Sequence, residues 1–145
     1  MKRYALLALA AGLLVAAAPN DDAKNDLKKL EGTWVLASGE NDGKKISADT
    51  LKTGQLMIDG DKHTVKVSDT TYKGTHKLDP SSKPKTIDIT DTEGPFKDKT
   101  VLGIYELDGD EFKICYAAPG KDRPKDFSAK EGTGYHCHIW KREKK

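Results

Sequence analysis

The four histidines and two cysteines of this chain are its candidates for metal, haem and disulfide chemistry. His136 and His138 flank Cys137 in the closing segment "YHCHIW", and His63 and His76 bracket "HTVKVSDTTYKGTH". Residues two apart on a strand point to the same face, so His136 and His138 would be presented together. Neutral imidazole suits zinc, copper, nickel and iron, and His-x-His on a strand is a real zinc-ligand spacing, though weak by itself. In the second segment, alternation selects His63, Val65 and Val67 on one strand and Tyr72, Gly74 and His76 on the next. A turn centred on Asp69-Thr70 pairs 67 with 72 and 65 with 74, which sets His63 opposite His76 with Cβ atoms about 4.5–5.5 Å apart. The plainer alternative for each pair is a semi-polar interior position or a solvent-facing one. All four imidazoles could share a metal or a haem-like ligand only if the two pairs lie at the same depth, which spacing does not fix.

Cys115 in "FKICYA" and Cys137 in "YHCHIW" lie on segments that would be neighbours. A bridge between them needs both side chains on one face, with Cβ atoms about 3.5–4.5 Å apart. Phe112, Ile114 and Tyr116 form the more apolar face of the first segment, so Cys115 should point the other way. If Cys137 follows it outward, the bridge forms and His136, His138 and Trp140 turn inward. If Tyr135, Cys137 and Ile139 face the core instead, the cysteines oppose and no bridge forms. The bridged arrangement is the expectation, since an exported chain with one pair of cysteines meets an oxidant. Such a bridge contributes about 3 kcal/mol on the chain-entropy estimate.

Signatures of catalysis are absent: no Gly-x-Ser-x-Gly, no His-Glu-x-x-His, no phosphate-cradling glycine loop and no Cys-x-x-Cys. The carboxylate pairs Asp88 with Asp91 and Asp108 with Asp110 fall at strand ends and turns, where acidic residues serve the backbone, and are read as solvated. "DGDK" and "DGDE" lack the ligand spacing and terminal Glu of a calcium loop. The protein is therefore expected to be non-enzymatic and to need no cofactor.

The elements that position these residues follow from the rest of the chain. Lys2 and Arg3 precede an apolar run from Tyr4 to Ala17 and small residues at Val15–Ala18, the pattern of a secretory signal peptide too short to span a bilayer comfortably. Residues 1–18 are assigned to that leader and 19–145 to one domain, with secretion or a periplasmic, cell-envelope location expected. Lys and Arg number 25 against 23 Asp and Glu, so losing Lys2 and Arg3 leaves 23 against 23. With charges balanced and interspersed, neither nucleic acid nor a membrane surface is an expected partner. About 125 residues suit a single core, and a monomer is expected.

"DDAKNDLKKLEG" carries helix start and stop signals over 22–30. Alternating runs then recur: "TWVLASG", "GQLMID", "HTVKVS", "TYKGTHKL", "KTIDITD", "TVLGIYEL", "FKICYA" and "YHCHIWKR", mostly separated by short turn sequences. "ISADTLKT" reads as one helical turn capped by Ser47, and residues 118–132 as a long polar loop. The pattern predicts an all-β fold, an eight-stranded antiparallel up-and-down barrel with a short N-terminal helix, a closure that leaves no open edge. A sandwich is the alternative.

Gly32-Thr33-Trp34, a Gly-x-Trp on the first strand after a short helix, resembles the lipocalin motif. That resemblance implies that Trp34 plugs one barrel end and that a basic residue near the end of the last strand, here Arg142 in "WKRE", covers it. A longer resemblance spans nearly the whole mature chain. "LEGTWVLASGENDGKKI", "KLDPSSKPKTIDIT", "GPFKDKTVLGIYELDGDEFKICYAAPGKDRP" and "WKRE" are similar to an uncharacterised lipocalin-like domain family known mainly from planctomycete bacteria. It implies a barrel but carries no established activity and no catalytic residues. His63 and His76 depart from its apolar or aromatic pattern.

The leading functional expectation is a small, apolar ligand held in the barrel, lined by Trp34, Leu36, Tyr105, Phe112, Ile114 and Tyr116. The alternatives are a filled barrel acting as an interaction module through its 118–132 loop, and metal or haem binding by the histidines. An internal cavity of roughly 300 Å³ or more separates the first from the second.

Overall fold

The computed structural model describes residues 21–144; the expected signal peptide, residues 1–18, lies outside them. Helix α1 (Asp21–Leu30) leads into β1 (Gly32–Asn41), a short β2 (Lys44–Lys45) and helix α2 (Ala48–Thr53). There follow β3 (Gln55–Asp59), β4 (Lys62–Val67), β5 (Thr70–Asp79), β6 (Lys85–Glu93), β7 (Thr100–Asp108), β8 (Glu111–Ala117) and β9 (Tyr135–Arg142). The strands pair antiparallel in the order β2-β1-β3-β4-β5-β6-β7-β8-β9, and β9 pairs back onto β1 from Trp34↔Arg142 to Asn41↔His136. Eight strands thus close an antiparallel barrel, and β2 extends the far end of β1. Ser47 caps α2 as its sequence predicts, its Oγ accepting from the Thr50 N–H at 3.2 Å.

Alternation decides which side chains face inward. Leu56 and Ile58 on β3, Leu78 on β5, Ile87 on β6, Phe112 and Ile114 on β8 and Trp140 on β9 build one buried cluster with Trp34 and Leu36 of β1. The expected plug is in place at the end covered by α1. Trp34 is fully buried, and its indole N–H donates to the Leu30 carbonyl at 2.8 Å. The Arg142 guanidinium lies 4.2 Å from the Trp34 ring centroid, within cation–π range. It donates to the Glu31 and Lys29 carbonyls at 2.7 and 2.6 Å, tying down chain at the C-terminus of α1. Gly32, at φ 125°, leaves room for this, since a Cβ there would stand 3.0 Å from Arg142 Nη1. Beneath the helix, buried Asp26 accepts from the Tyr105 hydroxyl at 2.7 Å and from Lys85 Nζ at 3.0 Å. Burial, then Asp26, pushes the Tyr105 phenol up.

The cysteines are bridged. Cys115 and Cys137 face each other directly across β8 and β9, joined as a disulfide. Phe112, Ile114 and Tyr116 line the interior, so the bridge is on the outer face as the inward turn of His136 and His138 requires. Yet Cys115 is fully buried, together with its outward-facing neighbours Ile104 and Ala117. The long segment between β8 and β9 explains this, because it is not a free polar loop. It carries buried Pro124 and Ala129. Arg123 anchors it to the sheet by donating to the Gly103 and Ile87 carbonyls at 2.8 and 3.2 Å and to Asp88 at 2.7 Å. Phe127 lies under the ammonium of Lys113, 4.7 Å from its ring centroid. A second, smaller apolar layer therefore lies outside the barrel wall. Among the described residues no helix is long and apolar enough to cross a membrane.

Candidate functional site

Inside the barrel lies a cavity of about 270 Å³. Leu36, Phe112, Ile114 and Tyr116 line it as expected, with Leu56, Ile58, Ile87 and Trp140 adding to its apolar floor. Trp34 and Tyr105 do not. Both are fully buried beneath the floor, committed to Leu30 and Asp26 at the plugged end. At the other end Ile46 and Thr50, from the α2 region, and Phe96, from the β6–β7 connection, reach the lining.

All four histidines reach the cavity wall. The first pair arrives by a different register from the expected one. Val67 pairs with Thr70, Val65 with Tyr72 and His63 with Gly74, around a turn at Ser68-Asp69. Ser68 adopts φ 53°, and its N–H donates to Thr53 Oγ1 at 2.8 Å, a side chain of α2. A shift of two residues preserves which side faces in, so the imidazoles still meet. Their Nδ1 atoms are 3.1 Å apart and the ring centroids 5.4 Å. Gly74, opposite His63, is the residue this packing requires. A Cβ there would collide with the Thr90 carbonyl oxygen and stand 2.8 Å from Asp91 Oδ1.

Asp91 corrects the reading of it as a solvated turn residue. It is only 4% exposed, and its Oδ1 is 2.8 Å from His63 Nε2. Asp88 and Asp110, by contrast, pair at the surface with Arg123 and Arg142. His63 and His76 are 8% and 6% exposed, so the three groups form a buried chain that must satisfy its own hydrogen bonds. The Gly60 carbonyl can only accept, so His76 Nε2, 3.1 Å away, carries a proton. One more proton lies between the two Nδ1 atoms and one between His63 and Asp91. Three protons on two imidazoles and a carboxylate make the triad neutral overall, as an ion pair or its neutral tautomer. Burial, then the neighbouring His63, pushes the His76 pKa down to about 4, so His76 is neutral near pH 7.

The second pair is built around Asn41 at the end of β1. Asn41 Oδ1 accepts from His136 Nδ1 and His138 Nε2, both at 2.9 Å. Burial, then His136, lowers the His138 pKa to about 4. Burial also lowers His136, opposed by the Asp42 carboxylate. Both rings are thus neutral near pH 7, each spending its one N–H on Asn41. His136 Nε2 and His138 Nδ1 remain as lone-pair acceptors open to the cavity, with no protein partner among the described residues. Tyr116 stacks on His136 at 5.0 Å and meets His138 edge-on at 5.6 Å. The Tyr116 phenol is pushed up by burial, then by Tyr72 and Asp91; that of Tyr72 by burial and then Asp91. Tyr116 lies on β8 beside the histidines of β9, whereas Tyr72 and Asp91 line the cavity from β5 and β6.

Each histidine pair is assembled, but the four do not converge. Among the described residues no group of three or more His, Cys, Asp or Glu could hold a metal ion. His63 uses both its nitrogens on His76 and Asp91. Sequence reasoning missed Asn41, Tyr72 and Asp91 as members of the site. For Asp91 a signal was available, because it shares the inward parity of Ile87 and Ile89 on β6. No protein-family model matches the chain, and no curated protein matches it at a significant level.

Proposed function

We propose that the protein is an exported, non-enzymatic, lipocalin-like binder that holds a small, largely apolar molecule inside its barrel. The observation that carries this reading is the cavity, about 270 Å³, with a mostly apolar lining and a few polar groups among it. Small-molecule sites are built this way. The volume falls just below the roughly 300 Å³ at which such sites begin and equals about nine water molecules' share of liquid. The ligand is therefore small. The interior space weighs against the filled-barrel interaction module, and the separate engagement of the two histidine pairs weighs against a shared metal or haem.

The resemblance of Gly32-Thr33-Trp34 to the lipocalin motif supports the same reading, since Trp34 lies beneath Arg142 as that resemblance implies. Export is supported by the Cys115–Cys137 disulfide, because such bridges persist in oxidising compartments. Residues 1–18 would be the leader. Native mass spectrometry of the protein purified from its own cell envelope tests the proposal. A co-purifying small organic molecule, released on denaturation, is the expected result. A mature chain carrying none, and binding no member of an apolar compound set in titration, would overturn it.

A further inference from the structure

We propose that the cavity selects a small amphiphile whose head group is uncharged and both donates and accepts hydrogen bonds, an alcohol or a carboxamide on an aliphatic body, and that Tyr72, Tyr116, Asn41, His136 and His138 recognise that head. The inference rests on the ligand-binding reading above and names the class of ligand.

The polar groups that line the cavity are incompletely used. Asn41 accepts from His136 and His138, while the hydroxyls of Tyr72 and Tyr116, the Asn41 amide N–H groups and the second nitrogens of His136 and His138 open onto the cavity with no protein partner among the described residues. Tyr116, Asn41, His136 and His138, on the adjacent strands β8, β9 and β1, therefore offer donors and acceptors side by side, Tyr72 adds a hydroxyl from β5, and Leu36, Ile114 and Trp140 offer neither. A group that is donor and acceptor at once satisfies both sets.

Charge is what the site does not supply. His136 and His138 are neutral, and the one carboxylate facing the cavity, Asp91, is already joined to His63 within a neutral triad. A ligand carboxylate would find the tyrosine hydroxyls but would also face two imidazole lone pairs and the neighbouring Asp91. A ligand ammonium would find the lone pairs but no uncommitted carboxylate. An ion entering an apolar cavity without a counter-charge keeps its full desolvation cost, so the site rejects both. A molecule with no head would displace solvent from these donors and acceptors without replacing its hydrogen bonds, which a hydrogen-bonding site also penalises.

The test is a matched series on one aliphatic body: 1-octanol, octanoate, octylammonium and n-octane, titrated into the mature protein at pH 7.5 and followed by backbone amide chemical shifts. Octanol is expected to bind at least about ten-fold more tightly than either ion, from the cost of burying an uncompensated charge. Tyr116→Phe and His138→Phe, whose spectra also report whether each variant is folded, should each weaken octanol by about 2- to 10-fold, the loss of one neutral hydrogen bond. Neither change should weaken octane. If either ion binds as tightly as octanol, the uncharged-head assignment fails. If octanol keeps its preference undiminished in folded Tyr116→Phe and His138→Phe, the wall is not what reads the head. Binding by none of the four compounds overturns the ligand-binding reading itself.

Discussion

The Nδ1 atoms of His63 and His76 stand 3.1 Å apart inside the barrel, and His63 continues to Asp91 through its Nε2 at 2.8 Å. Two imidazoles can approach this closely only with a proton between them, and the far ends of the chain determine the rest. The Gly60 carbonyl takes one proton and Asp91 shares another. Removing the Asp91 side chain therefore strands the buried Nε2 of His63 without a partner.

Asp91→Ala is expected to cost about 3–5 kcal/mol, the penalty for stranding one partner of a buried pair. Asp91→Asn should cost clearly less, because its amide can donate to Nε2 of a neutral His63. Urea denaturation of the two variants beside the parent checks this, and equal losses would show that the hydrogen-bond chain is not what stabilises the site.

Stability should rise with pH between about 4 and 6.5. His76 and His138 each have a folded pKa near 4 against an ordinary value of 6.5. In that window the unfolded chain binds more protons than the folded one, so stability is complete above 6.5 and is lost as pH falls. Each unit of separation corresponds to about 1.4 kcal/mol. The groups facing His76 are His63, Asp61 and the Gly60 carbonyl; those facing His138 are His136, Asn41, Tyr116 and Trp140. Denaturation midpoints from pH 4 to 7.5 measure the slope, and His138→Phe should flatten it.

Arg142→Ala should destabilise the plugged end by about 1–3 kcal/mol through lost hydrogen bonds to the Lys29 and Glu31 carbonyls and the lost stack on Trp34. Arg142→Lys should recover little, since an ammonium cannot span two carbonyls while lying flat on an indole. Hydrogen exchange in α1 provides the readout, with faster exchange there than in β6 or β7.

Replacing both cysteines, as Cys115→Ala with Cys137→Ala, should cost about 3 kcal/mol, the chain-entropy value for a bridge closing a loop of this size, 22 residues apart in sequence. In the parent, a mild reductant should act slowly until denaturant opens the fold, because Cys115 is fully buried. Thiol labelling over time, with and without urea, measures that difference.

The barrel and the face of each histidine were legible because period-two alternation and turn chemistry carry them, and the plug because Gly32-Thr33-Trp34 resembles the lipocalin motif. Depth was not legible. The expected turn at Asp69-Thr70 differs from the observed Ser68-Asp69 by a shift that leaves every inward residue inward. The observed turn needs a serine at positive φ, held by Thr53 from another element. Asp91 was misread because its polarity outweighed its parity, and only the proximity of His63 makes that burial tolerable. The 118–132 stretch looked like a polar loop because its few apolar residues, Pro124, Phe127 and Ala129, follow no period. They serve an outer layer that a single-core view does not anticipate.

The seam between β1 and β9 has a consequence for the order in which the protein can fold. It joins the first barrel strand to the last, from Trp34↔Arg142 to Asn41↔His136, so closure waits for nearly the entire sequence to be present. Contacts of such long range are reached slowly. Until they form, β1 and β9 each present a bare row of backbone donors and acceptors, the kind of edge on which chains pair with their neighbours. A chain shortened before Tyr135 would keep the helix, the plug tryptophan and most of the cavity lining. It would also leave β1 and β8 as permanently open edges, and its fate would be assembly with other copies rather than a barrel with a weaker seal.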